Sequence, residues 1–213
     1  MKIARDGWPV VGMAAGTLGP VAAIGVLAGH PVAVLPLVLA VGFCLFFFRD
    51  PERVAPTDER LVVSPADGRV LAVSPEREER FLNAPATRIS IFMSPLDVHV
   101  NRAPVSGTIE AVRHTPGKFR AAFADKASLD NERNALVLES GGRRYLLVQI
   151  AGAIARRIVC RVGAGDPVHR GERFGMIMFG SRVDFYLPAG VVPVVRAGDR
   201  VHAGTSPLAE VRA

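Results

Sequence analysis

The chain has 213 residues, a length that fits one ordinary globular domain with an accessory segment and excludes two large domains. Hydrophobic residues make up 49% of it and the mean hydropathy is positive, which is high for a freely soluble protein and indicates contact with lipid. The net charge of +6 suits an anionic partner. Because the basic residues are scattered and no aromatic-interleaved basic stripe occurs, a membrane is favoured over nucleic acid.

The hydrophobic residues are concentrated near the N-terminus. Residues 10–28 and 32–48 are two apolar segments separated by Gly29-His30-Pro31, and each is close to the ~17–25 residues of a spanning helix. We predict a helical membrane-anchoring hairpin within residues 1–53. A cleaved signal peptide is the alternative, but a second apolar run follows at once and no small-residue cleavage site precedes it. Since both segments are short, a re-entrant hairpin stays open.

Basic residues flank this hairpin at both ends. Lys2 and Arg5 precede it, and Arg49 and Arg53 follow it. The positive-inside rule then predicts that both ends of the hairpin lie in the cytoplasm. The expected location is the inner cell membrane, with residues 54–213 on its cytoplasmic side.

Beyond Pro51 the sequence changes to short runs rich in Val, Ile and Leu that are interrupted by Gly, Pro and Asp. Short strands at this spacing are typical of an all-β sandwich or barrel. The predicted fold class is therefore mainly β, with a sandwich-like or barrel-sandwich-like domain over residues 54–213 after the α-helical hairpin. Cys44 and Cys160 fall in different regions, so we expect two reduced, buried thiols.

A seven-residue pattern occurs twice in the β-rich region. GDPVHRG at residues 165–171 and GDRVHAG at 198–204 lie 33 positions apart, and each predicts a Gly-Asp turn, a short strand and a second tight turn. The pattern resembles the hammerhead turns of biotinyl and lipoyl carrier domains, which are small β-sandwiches of two similar halves. We expect His169 and His202 to serve the geometry of these turns and not catalysis.

Gly180-Ser181 follows a predicted apolar strand and is the only Gly-Ser pair in that order. A glycine has no side chain beside its carbonyl and reaches dihedral angles closed to other residues, so a following hydroxyl can approach closely. Attack of the Ser181 oxygen on the Gly180 carbonyl would turn the amide into an ester, and elimination would release the upstream chain. The remaining dehydroalanine would hydrolyse to a pyruvoyl group and ammonia. Taken alone, Gly-Ser is a common loop dipeptide.

Several further segments are informative because they occur together and in order. They are FFRDP at 47–51, SPADG at 64–68, SPLDVHVNR at 94–102, PGKF at 116–119, NERN at 131–134 and FGS at 179–181. With these segments the chain resembles the phosphatidylserine decarboxylase family, in particular its short bacterial and archaeal form, over nearly its whole length. The scissile pair is kept, but family members carry Leu-Gly-Ser-Thr where this chain has Phe-Gly-Ser-Arg.

The resemblance implies a pyruvoyl-dependent lyase of phospholipid biosynthesis that removes CO2 from phosphatidylserine to give phosphatidylethanolamine. The prosthetic group would derive from Ser181 itself, so neither a metal nor pyridoxal phosphate is expected. Its ketone would form a Schiff base with the substrate amine, which withdraws electrons as the carboxylate leaves. The expected partners are phosphatidylserine in an anionic membrane and the chain's own two fragments, residues 1–180 and 181–213. Further self-association is left open, and nucleic acid is not expected.

Longer family members use an Asp–His–Ser relay, and the resemblance assigns its aspartate to Asp67. Arg102 stands where the relay histidine would be, so that role does not transfer directly. His99 is the nearest candidate for the base that accepts the Ser181 proton and later protonates the product carbanion. Asp97 is two positions from His99, and on a strand both side chains would share a face. Asp97 would then orient His99 or meet the substrate amine.

Two basic residues are candidates for binding the lipid phosphate. They are Arg102 and Lys118, although basic side chains of this kind are usually only solvated. Asp67 has a similar alternative, because Asp-Gly is ordinarily a turn sequence.

Two interpretations from other classes remain at this point. The chain could be a membrane-anchored carrier module, since the repeated Gly-Asp turns suit biotinyl and lipoyl domains, or a membrane-anchored adaptor without catalysis. A carrier needs a modifiable lysine at a hairpin tip, usually between two methionines. Met176-Ile177-Met178 has isoleucine there, so the carrier would lack its attachment point.

Overall fold

The computed structural model describes residues 2–117, 131–152, 157–178 and 180–212. The chain forms two compact units, Met1–Glu52 and Arg53–Ala213. The division lies just beyond the point where continuous apolar sequence gives way to charged sequence.

The N-terminal unit is a pair of helices that pack on each other. Its elements are strand β1 (Lys2–Ile3), helix α1 (Gly7–Leu27), a turn of 3-10 helix (Pro31–Val34), helix α2 (Leu35–Phe47) and strand β2 (Arg49–Asp50). The two short strands pair antiparallel and bring the ends of the unit together. The chain reverses between Leu27 and Pro31, where the sequence predicted it.

Helix α1 is long and apolar enough to cross a membrane. At 1.5 Å per residue its 21 residues reach about 30 Å, which equals the thickness of a bilayer core. Helix α2 has 13 residues and reaches about 20 Å. The second predicted segment is therefore not one continuous α-helix, because its first residues form the 3-10 turn. Large apolar side chains of α1 are exposed, among them Trp8, Met13, Ile24 and Leu27.

The second unit consists of antiparallel strands, and the predicted mainly β class is confirmed. In chain order the strands are β3 (Leu61–Val63), β4 (Gly68–Glu78), β5 (Ala84–Met93), β6 (Val100–Arg102), β7 (Gly107–Thr115), β8 (Arg133–Ser140), β9 (Arg143–Ala151), β10 (Ile158–Cys160), β11 (Pro167–Val168), β12 (Arg173–Ile177), β13 (Ser181–Leu187), β14 (Val191–Pro193), β15 (Arg200–Val201) and β16 (Pro207–Val211). An eight-stranded sheet has the order β11-β7-β8-β9-β13-β5-β4-β15. Two three-stranded sheets have the orders β10-β12-β6 and β14-β16-β3.

The main core lies on one face of the eight-stranded sheet. Alternate side chains of β5 and β13 enter it, as the two-residue period of a strand requires: Ile89, Ile91, Met93, Val183, Phe185 and Leu187. The opposite face carries a smaller apolar cluster against which Phe81 and Leu82 pack. Both faces of β13 are therefore covered, and all seven of its residues are buried. Both cysteines are free thiols, with Cys44 buried and Cys160 half-buried.

The two Gly-Asp repeats occupy equivalent positions in the large sheet. β11 of the first repeat pairs with the start of β7, and β15 of the second pairs with the start of β4. These partner strands belong to a second repeat, PADGRVLAV at 65–73 and PVSGTIEAV at 104–112. The pairing of β4 and of β7 shifts register at the same place in each copy. The β-rich unit is thus built from two similar halves.

The last glycines of the two Gly-Asp repeats face each other. Gly204 has a φ of +75°, and a Cβ added to it would lie 2.8 Å from Arg102 Cδ and 3.3 Å from Gly171 Cα. At these distances the Cα of residue 204 can carry a hydrogen atom but not a methyl group. The two halves can approach this closely because each repeat ends in glycine.

We expect Gly204→Ala to destabilise the protein more than Gly198→Ala. Both glycines have positive φ, which costs an alanine about 1–2 kcal/mol. A Cβ on Gly198 would meet nothing within 4 Å, whereas one on Gly204 would clash with the buried Arg102. Thermal unfolding of the two variants measures the difference. Equal losses in Tm would contradict the close contact between the two repeats.

Candidate active site

Ser181 is the first residue of β13 and is fully buried. Its backbone lies between Met93 of β5 and Ala151 of β9, and its Oγ donates a hydrogen bond to Met93 Sδ at 3.4 Å. Gly180 has a φ of +59°, and a Cβ added to it would meet nothing within 4 Å. The predicted scissile bond therefore joins a residue in the left-handed conformation to the beginning of an interior strand. Phe179 lies outside the described residues.

The hydroxyl of Ser181 has a weak hydrogen-bond partner. A thioether sulfur accepts much less strongly than a carbonyl or carboxylate oxygen. The contact with Met93 therefore orients the hydroxyl without tying up its proton. A base that approached Oγ would have only this weak contact to displace.

His99 is fully buried beside the chain that leads to Ser181. Its carbonyl accepts a hydrogen bond from Ile177 N at 3.3 Å, at the end of β12. Its Nδ1 lies 2.9 Å from the backbone oxygen of Asp97. A carbonyl can only accept, so Nδ1 carries a proton. In the neutral ring Nε2 then holds the lone pair, which is what a general base needs.

Asp97 does not stand on a strand with His99, and that prediction was wrong. The chain forms a turn after Met93, and strand β6 begins only at Val100. In this turn Asp97 Oδ2 accepts hydrogen bonds from the backbone N of Ser94 at 2.8 Å and from its hydroxyl at 2.7 Å. The carboxylate also faces Arg200 at 3.2 Å. Asp97 therefore contacts the His99 ring through its backbone and not through its side chain.

Asp67 is buried within a set of donors that does not include His99. Its carboxylate forms a two-point ion pair with Arg53, with Nη2 and Oδ2 2.8 Å apart. Oδ1 accepts the backbone N–H of Ala203 at 2.8 Å, and Oδ2 lies 3.3 Å from His202 Nδ1. The histidine beside Asp67 is therefore one that the sequence assigned to turn geometry.

Competing effects act on the ionisation of Asp67. Burial by itself raises its pKa, but the hydrogen bonds from Arg53 and Ala203 and the charge of Arg53 outweigh burial and hold the pKa below its usual value. Asp67 directly precedes β4, and β5 separates β4 from β13, so about two strand spacings, ~10 Å, lie between Asp67 and Ser181 in the sheet.

Arg102 is 2% exposed, and its guanidinium donates to the carbonyl of Gly171 at 3.0 Å. Its backbone N–H donates to the carbonyl of Pro65 at 3.0 Å. The side chain therefore joins the two repeats in the interior and is not merely solvated, while its contact with lipid phosphate stays a prediction. Lys118, the other residue expected to bind phosphate, lies outside the described residues.

Comparison with known proteins relates the chain to one family. The family profile described as phosphatidylserine decarboxylase matches residues 41–209. Proteins named phosphatidylserine decarboxylase proenzyme are similar over most of the chain. The one from Cereibacter sphaeroides is 51% identical and aligns with 87% of this chain and 81% of its own length. Those from Nitratidesulfovibrio vulgaris and Syntrophus aciditrophicus are 49% and 47% identical, over 98% and 97% of this chain and 94% and 96% of their own lengths.

The chain belongs to the phosphatidylserine decarboxylase family. Membership confirms the resemblance seen in the ordered sequence segments, and it favours a decarboxylase over the carrier and adaptor alternatives. The profile covers part of α2 and nearly all of the β-rich unit, so every site residue discussed above falls within it.

Several polar residues of the site were not predicted from the sequence. Arg53 is the ion-pair partner of Asp67, and Asn101 and Gln149 form buried amide contacts near Ser181. A signal did exist for Gln149, because a lone amide in the apolar run LLVQIA of β9 is unusual in a strand buried on both faces.

The stability of the protein should fall in acid because of Asp67. Its pKa is lower in the folded chain than in the unfolded chain, where it is about 3.9. The ion pair therefore contributes fully above that pH, and its contribution is lost as the pH falls through the folded pKa. Asp67→Asn should be less stable at neutral pH and should show a flatter pH dependence below about pH 4.

Urea unfolding at a series of pH values measures this difference. Asp166→Asn is the matched control, because the Asp166 carboxylate also accepts a turn N–H but is exposed. If Asp67→Asn kept the full acid sensitivity of the unchanged chain, Asp67 would not be its source.

Proposed function

We propose that this chain is a phosphatidylserine decarboxylase made as a proenzyme that cleaves itself between Gly180 and Ser181. The observation that carries the proposal is a fully buried serine hydroxyl directly after a left-handed glycine, in a chain of this family. Its relatives are named proenzymes, which fits a chain that must be processed. We propose the matching division of the chain into an anchor at residues 1–53 and a catalytic domain at residues 54–213.

The cleavage that we propose needs no external reagent except water. Ser181 Oγ attacks the Gly180 carbonyl carbon, the C–N bond breaks, and the acyl group passes from nitrogen to oxygen. A base then removes the Cα proton of residue 181, and the Gly180 carboxylate leaves with its electron pair. Water adds to the resulting dehydroalanine, ammonia departs, and the new chain begins with a pyruvoyl group. The products are residues 1–180 and a blocked fragment, 181–213.

His99 is the residue that we assign as base for the first step. Its Nδ1–H donates to the Asp97 carbonyl, which fixes the ring and leaves Nε2 as the basic nitrogen. The hydrogen bond between its carbonyl and Ile177 holds its backbone against the strand that leads into the cleavage site. After decarboxylation the same nitrogen would return a proton to the substrate carbon.

The surroundings of Ser181 fit the small carbonyl group that cleavage would leave. Residue 181 is enclosed by β5 and β9 in an interior from which water is excluded, and buried amides lie nearby. A pyruvoyl group at this place supplies an electron sink for the loss of CO2 from an amino acid headgroup. Three other side chains would stabilise the backbone around the site. Asp67 does so by its ion pair with Arg53, Asp97 by closing the turn at Ser94, and Arg102 by its hydrogen bond to Gly171.

We further propose that the apolar helices hold the enzyme at its lipid substrate in the inner membrane. The length and hydropathy of α1 support a membrane location. The basic residues at both ends of the hairpin support a cytoplasmic site. Lys118 remains a candidate for contact with the lipid phosphate. The two fragments would remain together as a heterodimer because β13 is an interior strand.

Ser181→Ala should abolish both cleavage and decarboxylation, because it removes the nucleophile and the source of the carbonyl. Denaturing electrophoresis and intact mass should give two fragments for the unchanged chain and one chain for the variant. Reduction with borohydride should alter the mass of fragment 181–213 only in the unchanged protein. An uncleaved wild-type chain, or carbon dioxide release by Ser181→Ala, would contradict the proposal.

His99→Ala should slow self-cleavage by about 10²-fold or more, the usual contribution of a general base. His169→Ala is the matched control, since His169 is exposed in the first repeat, and it should cleave at the wild-type rate. His202→Ala tests the exposed histidine that contacts the buried Asp67 carboxylate. Rapid cleavage in His99→Ala together with slow cleavage in His202→Ala would transfer the role to His202.

A further inference from the structure

Three buried side-chain amides near Ser181 are joined by consecutive hydrogen bonds, and we call them the amide chain. Asn134 Nδ2 donates to Gln149 Oε1 at 3.0 Å, and Gln149 Nε2 donates to Asn101 Oδ1 at 2.8 Å. Exposure of the three residues is 3%, 0% and 0%. The chain links the large sheet, through β8 and β9, to β6 of a three-stranded sheet.

The direction of this amide chain is fixed by one backbone carbonyl. Asn101 Nδ2 faces the oxygen of Pro65 at 3.4 Å, and a carbonyl can only accept. The amide oxygen of Asn101 must then face Gln149, and the oxygen of Gln149 must face Asn134. Each amide has a single satisfied orientation, so the nitrogen of Asn101 points toward the Pro65 and Met93 side.

The amide chain ends at the sulfur that holds the Ser181 hydroxyl. Asn101 Nδ2 lies 3.9 Å from Met93 Sδ, and Ser181 Oγ donates to the same sulfur at 3.4 Å. On the other flank of Ser181, Asn131 Nδ2 donates to the carbonyl of Ala151 at 2.7 Å. Both strand neighbours of the nucleophile are therefore held by a buried asparagine.

Such an arrangement is costly if its only purpose is to fill the core. Burying an amide is unfavourable unless all its hydrogen bonds are made, and apolar side chains of similar volume would fill the same space. A fully connected amide chain does, however, hold one geometry rigidly. Rigid placement matters most for a nucleophile that must attack a neighbouring bond, since small displacements cost orders of magnitude in rate.

We propose that Asn101 is a positioning residue for self-cleavage. Held by Gln149 and Asn134, it fixes the Met93 thioether, and the thioether sets the direction of the Ser181 hydroxyl toward Gly180. The inference rests on the proposed function and adds to it residues that never touch the scissile bond. It concerns the attack step, before any ester has formed.

An apolar version of the amide chain separates positioning from stability. Asn101→Leu alone removes the acceptor of Gln149 Nε2 and should lower Tm. The triple variant Asn101→Leu/Gln149→Met/Asn134→Leu removes all three amides together and should recover most of that loss. Its self-cleavage should nevertheless remain slower than wild type by about tenfold or more. Cleavage at the wild-type rate in a stable triple variant would overturn the inference.

Met93→Leu tests the contact between the thioether and the Ser181 hydroxyl without changing the three amides. Leucine keeps the apolar volume but lacks the sulfur, so the chain should fold and cleave slowly. In the Met93→Leu background the triple substitution should slow cleavage no further, because both changes act through one sulfur. Fully multiplicative effects would overturn the inference. Rapid cleavage in Met93→Leu would overturn it by itself, even if the triple variant failed to fold.

Hydroxylamine identifies the step that is affected. It cuts an accumulated ester but cannot cut an amide that was never attacked, so it should not restore cleavage in either variant. Restoration would mean that attack proceeds normally and would overturn the assignment. The wild-type chain serves as the reference in every arm. Absence of cleavage there would refute the proposed function, whereas normal wild-type cleavage with normal variants would refute only the role of Asn101.

Discussion

Strand β13 pairs with β9 on one side and with β5 on the other, and this double pairing governs everything around Ser181. A strand in this position cannot slide, because a shift of one residue would turn every buried side chain to the opposite face. The hydroxyl at its first residue is therefore held in place, while Gly180, just outside the paired residues, has the conformational freedom of glycine. A fixed nucleophile beside a permissive carbonyl is the combination that attack on the preceding peptide bond requires.

The two similar halves of the β-rich unit provide an internal comparison for Asp67. Its counterpart in the other half is Ser106, whose Oγ accepts the backbone N–H of Arg170 at 3.0 Å. Asp67 accepts the equivalent N–H of Ala203 at 2.8 Å. A neutral hydroxyl is thus sufficient for the turn, and the negative charge on Asp67, with its ion pair to Arg53, exceeds what the turn needs. This excess supports a functional role for Asp67 as a hypothesis distinct from the turn contact.

Local patterns in the sequence were enough to predict the local features of the structure. The reversal near Gly29, the strand-rich second unit and the repeated turns all depend on residues close together in the chain. Asp97 was misassigned because alternating residues were taken as a strand, although Ser-Pro followed by Asp is also typical of a turn that the carboxylate closes. The second apolar segment was taken as one helix, although Pro31 begins a 3-10 turn.

Contacts between distant residues could not be predicted in the same way. The pairing of Asp67 with His202 joins positions 135 apart, and that of Gln149 with Asn101 joins positions 48 apart. Periodicity tells which face of a strand a side chain occupies, but the partner across the core depends on the packing of separate sheets. The burial of Arg102 has the same origin, because its site exists only where the two repeats meet.

The interior location of β13 determines whether residues 181–213 can exchange between molecules. Residues 181–213 supply strands to the large sheet and to one small sheet, alongside β3, β4, β5 and β9. Withdrawing this piece would dismantle both sheets, so exchange of it between molecules would require complete unfolding. If the proposed carbonyl at residue 181 were chemically inactivated, the molecule could not regain it by exchanging this fragment with another copy. Lost activity would then be restored only by synthesis of new protein.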